Sequence, residues 1–337
     1  MNVPIESPEV LDTNKKRSVA LRSNTLRILG SWRLAGIAIP FLILFISLSI
    51  WGQHFLTKAN LINIVDQQAA TLAIAAAGTL VLVAGGLDLS VGAIYGLATV
   101  VSGEIAEHHS AWFAITVALL VGLGVGLVNG MIVAYLKINP FIATLAMSFV
   151  IGGVALRVAN NNLIVLSQNS TFYRFANAEL WSVPSAVWIV LVFIVILALL
   201  LAKTTFGRRV IASGGNAEAA RLAGIQVNQV RIITYALSGL AAGLGGVIDT
   251  SRLLSAQSTN GGPTLTFLVL AGIVVGGTSI AGGEGSVPRT TIGVLFIALI
   301  YNGINLLAIP SLYQSIVLGV IMLLAVSIDV RVRKHRL

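Results

Sequence analysis

The sequence predicts an all-α integral membrane protein with about ten transmembrane helices and both termini in the cytoplasm. Of its 337 residues, 56% are hydrophobic and 10% charged, and the mean hydropathy is +0.93. That leaves too little polar surface to cover a soluble globule of this size. Crossing the hydrocarbon core takes ~20 apolar helical residues. Runs near that length recur at about 34–51, 68–84, 91–106, 111–136, 140–159, 186–202, 230–249, 265–281, 289–308 and 312–328. Charge is the third observation. Ten crossings with inside termini place 17 of the 21 Lys and Arg residues inside and only Lys58, Arg157, Arg174 and Arg252 outside, the bias expected of cytoplasmic loops. An odd count would leave one basic terminus on the wrong side.

This division gives a basic cytoplasmic N-terminal segment (1–33) with Lys15, Lys16, Arg17, Arg22, Arg27 and Arg33, a membrane domain (34–328) and a basic cytoplasmic tail (329–337) with Arg331, Arg333, Lys334 and Arg336. The N-terminal stretch is too long and mixed for a cleaved leader. It is expected to stay attached, either against anionic lipid headgroups or as a solvated tail. The formal charge of +9 sits in short loops and at the ends; with no contiguous basic and aromatic face, nucleic acid is not expected as a partner. The chain has no cysteine, hence no disulfide framework, thiolate metal site or redox role. Between Asn160 and Pro184 the sequence leaves a longer outer segment whose apolar and aromatic residues are expected on the outer surface.

The long polar interruption of the second half, 203–231, holds five basic residues. At its centre Gly214 and Gly215 precede the signals of a short helix: Asn216 as N-cap, Glu218 in the first turn, Arg221 near the end and Gly224 as terminator. Ala217, Ala219, Ala220 and Ala223 make it smooth enough for another protein's groove to approach the backbone. A docking helix on the cytoplasmic face of a transport channel is the expectation.

In AGGLDLSVGAIYG, Asp88 follows two glycines between two apolar runs. One reading is a helix break near the inner face, where Asp88 and Ser90 shape a gate. The other is a cap, with Asp88 or Ser90 closing the next helix. The two are compatible. The polar residues within spans, Gln67, Gln68, Asn129, Asn302 and Asn305, are neutral amides. Such donors and acceptors suit a polyhydroxylated neutral solute, while each alone serves equally well to join helices. Asp66, Asp88 and Asp249 come near spans, each close to an end. GLDLSVG and Asn129-Gly130 in the first half have counterparts in GGTSIAGG and Asn302-Gly303 in the second, a hint of duplication around a pathway. GLGVG from Gly122 and GLAAGLGG from Gly239 are expected at close helix contacts.

GGTSIAGGEGSV lacks the Lys of a phosphate-binding loop, and none of the six Lys residues follows such a loop. The chain is therefore not expected to hydrolyse ATP. His54, His108, His109 and His335 lie in outer or terminal loops without supporting carboxylates, so no metal, cofactor or catalytic constellation is expected.

Taken together, GGLDLSVG, NPFIATLAM, FGRRVIASGGNAEAARLAGI, YALSGLAAGLGG and GGTSIAGGEGSV resemble the permease subunits of ribose-type sugar importers of bacteria, within the branched-chain/ribose permease superfamily, over about residues 40–330. The resemblance implies a multi-pass subunit of the inner membrane. It implies as partners a cytoplasmic ATP-binding-cassette ATPase, a periplasmic or lipid-anchored solute-binding protein, and a second permease copy or paralogue. It assigns Gly214–Gly224 to ATPase contact. The chain departs from the family pattern over Pro263–Gly277, with no acid between Asp249 and Glu284, and at Pro288-Arg289. A stand-alone carrier or channel for a small polar solute is the alternative.

Overall fold

The computed structural model describes residues 36–166 and 171–334; the six basic residues of 1–33, and Arg336, lie outside them. The elements are α1 (Gly36–Trp51), α2 (Lys58–Gln67), α3 (Ala69–Val83), α4 (Val91–His108), α5 (Ala111–Tyr135), α6 (Pro140–Val158), α7 (Thr171–Asn177), α8 (Ser185–Lys203), α9 (Thr205–Gly215), α10 (Ala217–Leu222), α11 (Val227–Leu253), α12 (Gly262–Val275), α13 (Val287–Leu306) and α14 (Leu312–Lys334). Each predicted apolar run overlaps a helix, although the run expected at 265–281 leaves α12 at Val275 and ends in turns. Five of them, α5, α6, α8, α11 and α13, are long and apolar enough to cross a bilayer by length and composition, and six are if α2 and α3 count as one bent span. Helices α1 and α12 and the apolar part of α14 are shorter, and the eighteen-residue α4 ends in Glu104, Glu107 and His108. The last helix continues to Lys334, beyond the boundary expected at 328.

The core is built around α11 and α3. Helix α3 buries every residue but Ala70, and α11 is buried along most of its length. The crossing of α5 with α11 uses the glycines singled out in the sequence. A Cβ on Gly122 would lie 2.5 Å from the Gly239 carbonyl, one on Gly126 2.4 Å from that of Tyr235, and one on Gly239 2.2 Å from that of Gly122. Only glycine lets these backbones touch, and in lipid such close packing drives helix association. The outward faces of α6 and α8 carry exposed Phe149, Val150, Val192 and Ile196, an apolar area far beyond what a water-facing surface carries and suited to lipid.

The segment 160–184, expected on the outer surface, also packs into the bundle. Phe172 and Ala176 of α7 are buried. The Ser251 hydroxyl of α11 donates to the Phe172 carbonyl and accepts from the Ala176 amide at 3.1 Å, and the Asn177 side chain donates to the Ser251 carbonyl at 3.0 Å. Two short antiparallel pairs complete it: β1 (Ile164–Val165) with β4 (Ser255–Ala256), and β2 (Glu179–Leu180) with β3 (Val183–Pro184). Helix α7 is thereby fastened to the last turns of α11.

Candidate functional site

Helix α3 ends at Val83, and the chain then runs without helix to Ser90. Non-helical backbone is tolerated inside a membrane protein only where side chains satisfy its polar groups, and here they do so one by one. The Tyr235 hydroxyl accepts from the Leu87 amide at 3.2 Å and donates to the Leu87 carbonyl at 2.9 Å. The Thr144 hydroxyl accepts from the Leu89 amide at 3.0 Å, and Thr266 accepts from the Gly92 amide at 3.1 Å. Asp88 faces inward: one oxygen accepts from the Ser90 amide (3.0 Å) and hydroxyl (2.6 Å), the other from the Ser238 hydroxyl (2.8 Å). Asn129 donates to Ser90 at 2.7 Å.

Asp88, Ser90 and Asn129 are thus brought together, at 5%, 0% and 1% exposure. Their network ties the extended segment to α5, α6, α11 and α12, and every partner of Asp88 is neutral. The cap reading needs correction. Ser90 occupies the N-cap position of α4 but makes no side-chain cap bond, because its hydroxyl is turned to Asp88. Sequence reasoning missed Tyr235, Ser238, Thr144 and Thr266 as members of this hub, although the first three lie in motifs that carry the family resemblance.

Asn302 lies elsewhere. It exchanges two hydrogen bonds with Asn60 (3.2 and 2.8 Å) beside a cavity of about 310 Å³ lined by Asn60, Asn63, Gln67, Gln68, Asn302, Asn305 and Gln314, with Tyr301 and three aliphatic side chains. No charged side chain among the described residues lines it. Three of these amides, Asn60, Asn63 and Gln314, were not singled out in the sequence. The expected duplication stops at the glycines, since Asn129 sits on the second helix after its glycine loop and Asn302 on the first.

The polar interruption forms two helices where one was expected. Thr204 caps α9 by accepting from the Gly207 amide at 3.1 Å. Asn216 caps α10 by accepting from the amides of Glu218 (3.1 Å) and Ala219 (3.0 Å). Gly224 ends α10 at φ +81°, its amide donating to the Arg221 carbonyl. Glu218 and Arg221 are exposed and 3.8 Å apart, too loose and solvated to matter for stability. Leu222, passed over in the sequence, is 86% exposed. The two glycines behave differently. Gly214 is packed against the turns after α3 and before α13, where the Gly283 amide donates to the Val83 carbonyl at 2.9 Å, whereas a side chain on Gly215 would meet open space.

Comparison with known proteins agrees with this architecture. Residues 60–326 match the family described as "Branched-chain amino acid transport system / permease component". The chain is 42% identical to the ribose import permease of Bacillus subtilis (strain 168) over 86% of this chain and 91% of that one. It is 38% identical to the ribose import permease of Escherichia coli (strain K12), covering 86% and 92%. It is 36% identical to the L-arabinose ABC transporter permease of Azospirillum brasilense, covering 91% of each. No solved structure matches. A helical multi-pass membrane protein with these matches belongs to the family of branched-chain amino acid transport system permease components.

Proposed function

We propose that this chain is the permease subunit of an ATP-binding-cassette importer that moves a pentose, or a solute of similar hydroxyl pattern, across the bacterial inner membrane through the amide cavity. The cavity carries the reading. Seven neutral amides offer donors and acceptors without charge, which matches sugar hydroxyls, and relatives at this identity are named for ribose and arabinose. Asn302 lines the path directly. Asp88, Ser90 and Asn129 serve the gate by holding the extended segment. A solute-binding protein delivers to the outer side, and a second permease copy or paralogue completes the assembly. Gln67→Leu combined with Asn305→Leu removes two hydrogen-bonding side chains, each worth about 1 kcal/mol. Uptake of labelled pentose by reconstituted transporter at saturating binding protein is expected to fall about thirtyfold with assembly unchanged. Unaltered uptake would move the path elsewhere.

ATP is hydrolysed by a separate subunit docking on the inner face, in the ten-span arrangement with both termini inside. The exposed Leu222, Glu218 and Arg221 of α10, beside a groove lined by Tyr135, Ile225, Gln226 and Asn228, form the contact. The cysteine-free chain makes the test direct: Gly215→Cys should react with a membrane-impermeant maleimide only in inside-out vesicles and be shielded when the ATPase is bound. Leu222→Glu should weaken ATPase association at least tenfold, as expected for an apolar anchor, while leaving insertion intact. Labelling from outside overturns both topology and docking.

A further inference from the structure

We propose that α2 is a hinged flap over the amide cavity and that Arg252 is the latch holding it shut; the transport consequence rests on the cavity being the solute path. Helices α2 and α3 meet at a 49° bend at Gln68, between Gln67 and Ala69, and the Gln68 side chain makes no cap bond. Of the ten residues of α2, only Ile64 is buried, against fourteen of fifteen in α3. Packing therefore fixes α3 along its whole length, whereas α2 is held by one apolar stripe, Ile64 and Leu61 against Ala298, Leu299 and Leu306, and by two polar clasps.

One clasp is the Asn60–Asn302 amide pair at the start of the flap. The other is at the hinge. Arg252, expected in an outer loop, lies in α11 with its side chain four-fifths covered. One guanidinium nitrogen donates to the Asp66 carbonyl at 2.9 Å and lies 3.8 Å from the Asp66 carboxylate. The other donates to Asp249 at 2.7 Å. The second Asp249 oxygen accepts from the Tyr95 hydroxyl, which pins the carboxylate between α4 and α11. A cation at the end of α2 also meets the negative end of its dipole.

The asymmetry makes it a latch. Arg252 is bound tightly to Asp249 on its own helix and loosely to the Asp66 carboxylate, whose remaining oxygen is buried without a partner. Releasing α2 costs the bond to the Asp66 carbonyl and the loose carboxylate contact, while the guanidinium keeps Asp249. Because α2 carries Asn60, Asn63 and Gln67, its swing opens or closes the cavity wall.

The chain holds no cysteine, so Asn60→Cys with Asn302→Cys gives a clean closure reporter in membranes: the initial rate of copper-catalysed disulfide formation. With Arg252 in place the pair should crosslink quickly. Arg252→Gln should slow it about tenfold and Arg252→Lys, which keeps the charge but lacks the fork to hold both helices, severalfold. Thr79→Cys with Thr290→Cys, on hydroxyls 2.8 Å apart in the core, should crosslink equally in every background and so reports folding. An unchanged Asn60/Asn302 rate in Arg252→Gln, or in Arg252→Lys if the first fails the folding control, overturns the latch. A slowed rate with unaltered pentose uptake keeps the latch and removes the cavity from the solute path.

Discussion

Adding one methyl group to Gly214 is expected to destabilise the transporter by about 2–6 kcal/mol, whereas the same change at Gly215 should pass unnoticed. A Cβ on Gly214 would lie 1.8 Å from the Val83 carbonyl oxygen and 2.7 Å from the Gly283 nitrogen, the two atoms that hydrogen-bond to each other across the junction. Overpacking of this kind costs about 1–3 kcal/mol, and parting a buried hydrogen bond adds about 1–3 kcal/mol. No flexible side chain is available to yield, because the obstacle is backbone on both sides. At Gly282 the added atom would meet Gly85 and Gly214, and at Gly283 it would meet Gly215, so Gly282→Ala should fail in the same way. The measurement is thermal unfolding of the purified permease in detergent, with Gly215→Ala alongside. A Gly214→Ala protein that melts like the parent would mean that the end of α9 does not meet the two turns. If they do, any push on α9 and α10 reaches the turns after α3 and before α13 without an intervening side chain.

How much of this was legible in the sequence depends on the range of the signal. Local signals read well. Asn216 and Gly224 mark α10 through capping and backbone conformation, and the glycines of α5 and α11 announce a close crossing by their spacing alone. Gln67, Gln68, Asn302 and Asn305 could be singled out as neutral amides within apolar runs. What could not be read is which of them face one another: Asn60 meets Asn302 across 242 residues, and helix rotation decides that. The same limit hid the hub. Tyr235, Thr144 and Ser238 are single polar residues in apolar stretches, and nothing local distinguishes a hydroxyl that caps its own helix from one that satisfies a distant Leu87 or Asp88. Arg252, expected in a loop, lies in the last turn of α11 for a related reason. Charge bias assigns a basic residue to a side of the membrane but says nothing of its partners, here the two covered carboxylates of Asp66 and Asp249.

The charge of Asp88 should prove dispensable and its oxygens indispensable. Asp88→Ala leaves the Ser90 amide and hydroxyl and the Ser238 hydroxyl without their acceptor in a site with almost no solvent access. At about 1–3 kcal/mol for each stranded donor, the loss is large against the ordinary stability of a folded chain. Asp88→Asn keeps one oxygen for Ser90, and its amide can donate to Ser238, whose hydroxyl accepts as readily as it donates. That exchange should cost about 1 kcal/mol. Because no cation pairs with Asp88 among the described residues, losing the negative charge breaks no ion pair. The expected result is an Asn variant that assembles and imports at a rate close to the parent, and an Ala variant that assembles poorly. Solute uptake and solute-stimulated ATP hydrolysis in reconstituted vesicles, each normalised to assembled complex, read the two effects separately. An assembled Asn variant that no longer transports would show that the carboxylate acts on the passing solute or on the gate through its charge, and the hub would then be machinery rather than scaffold.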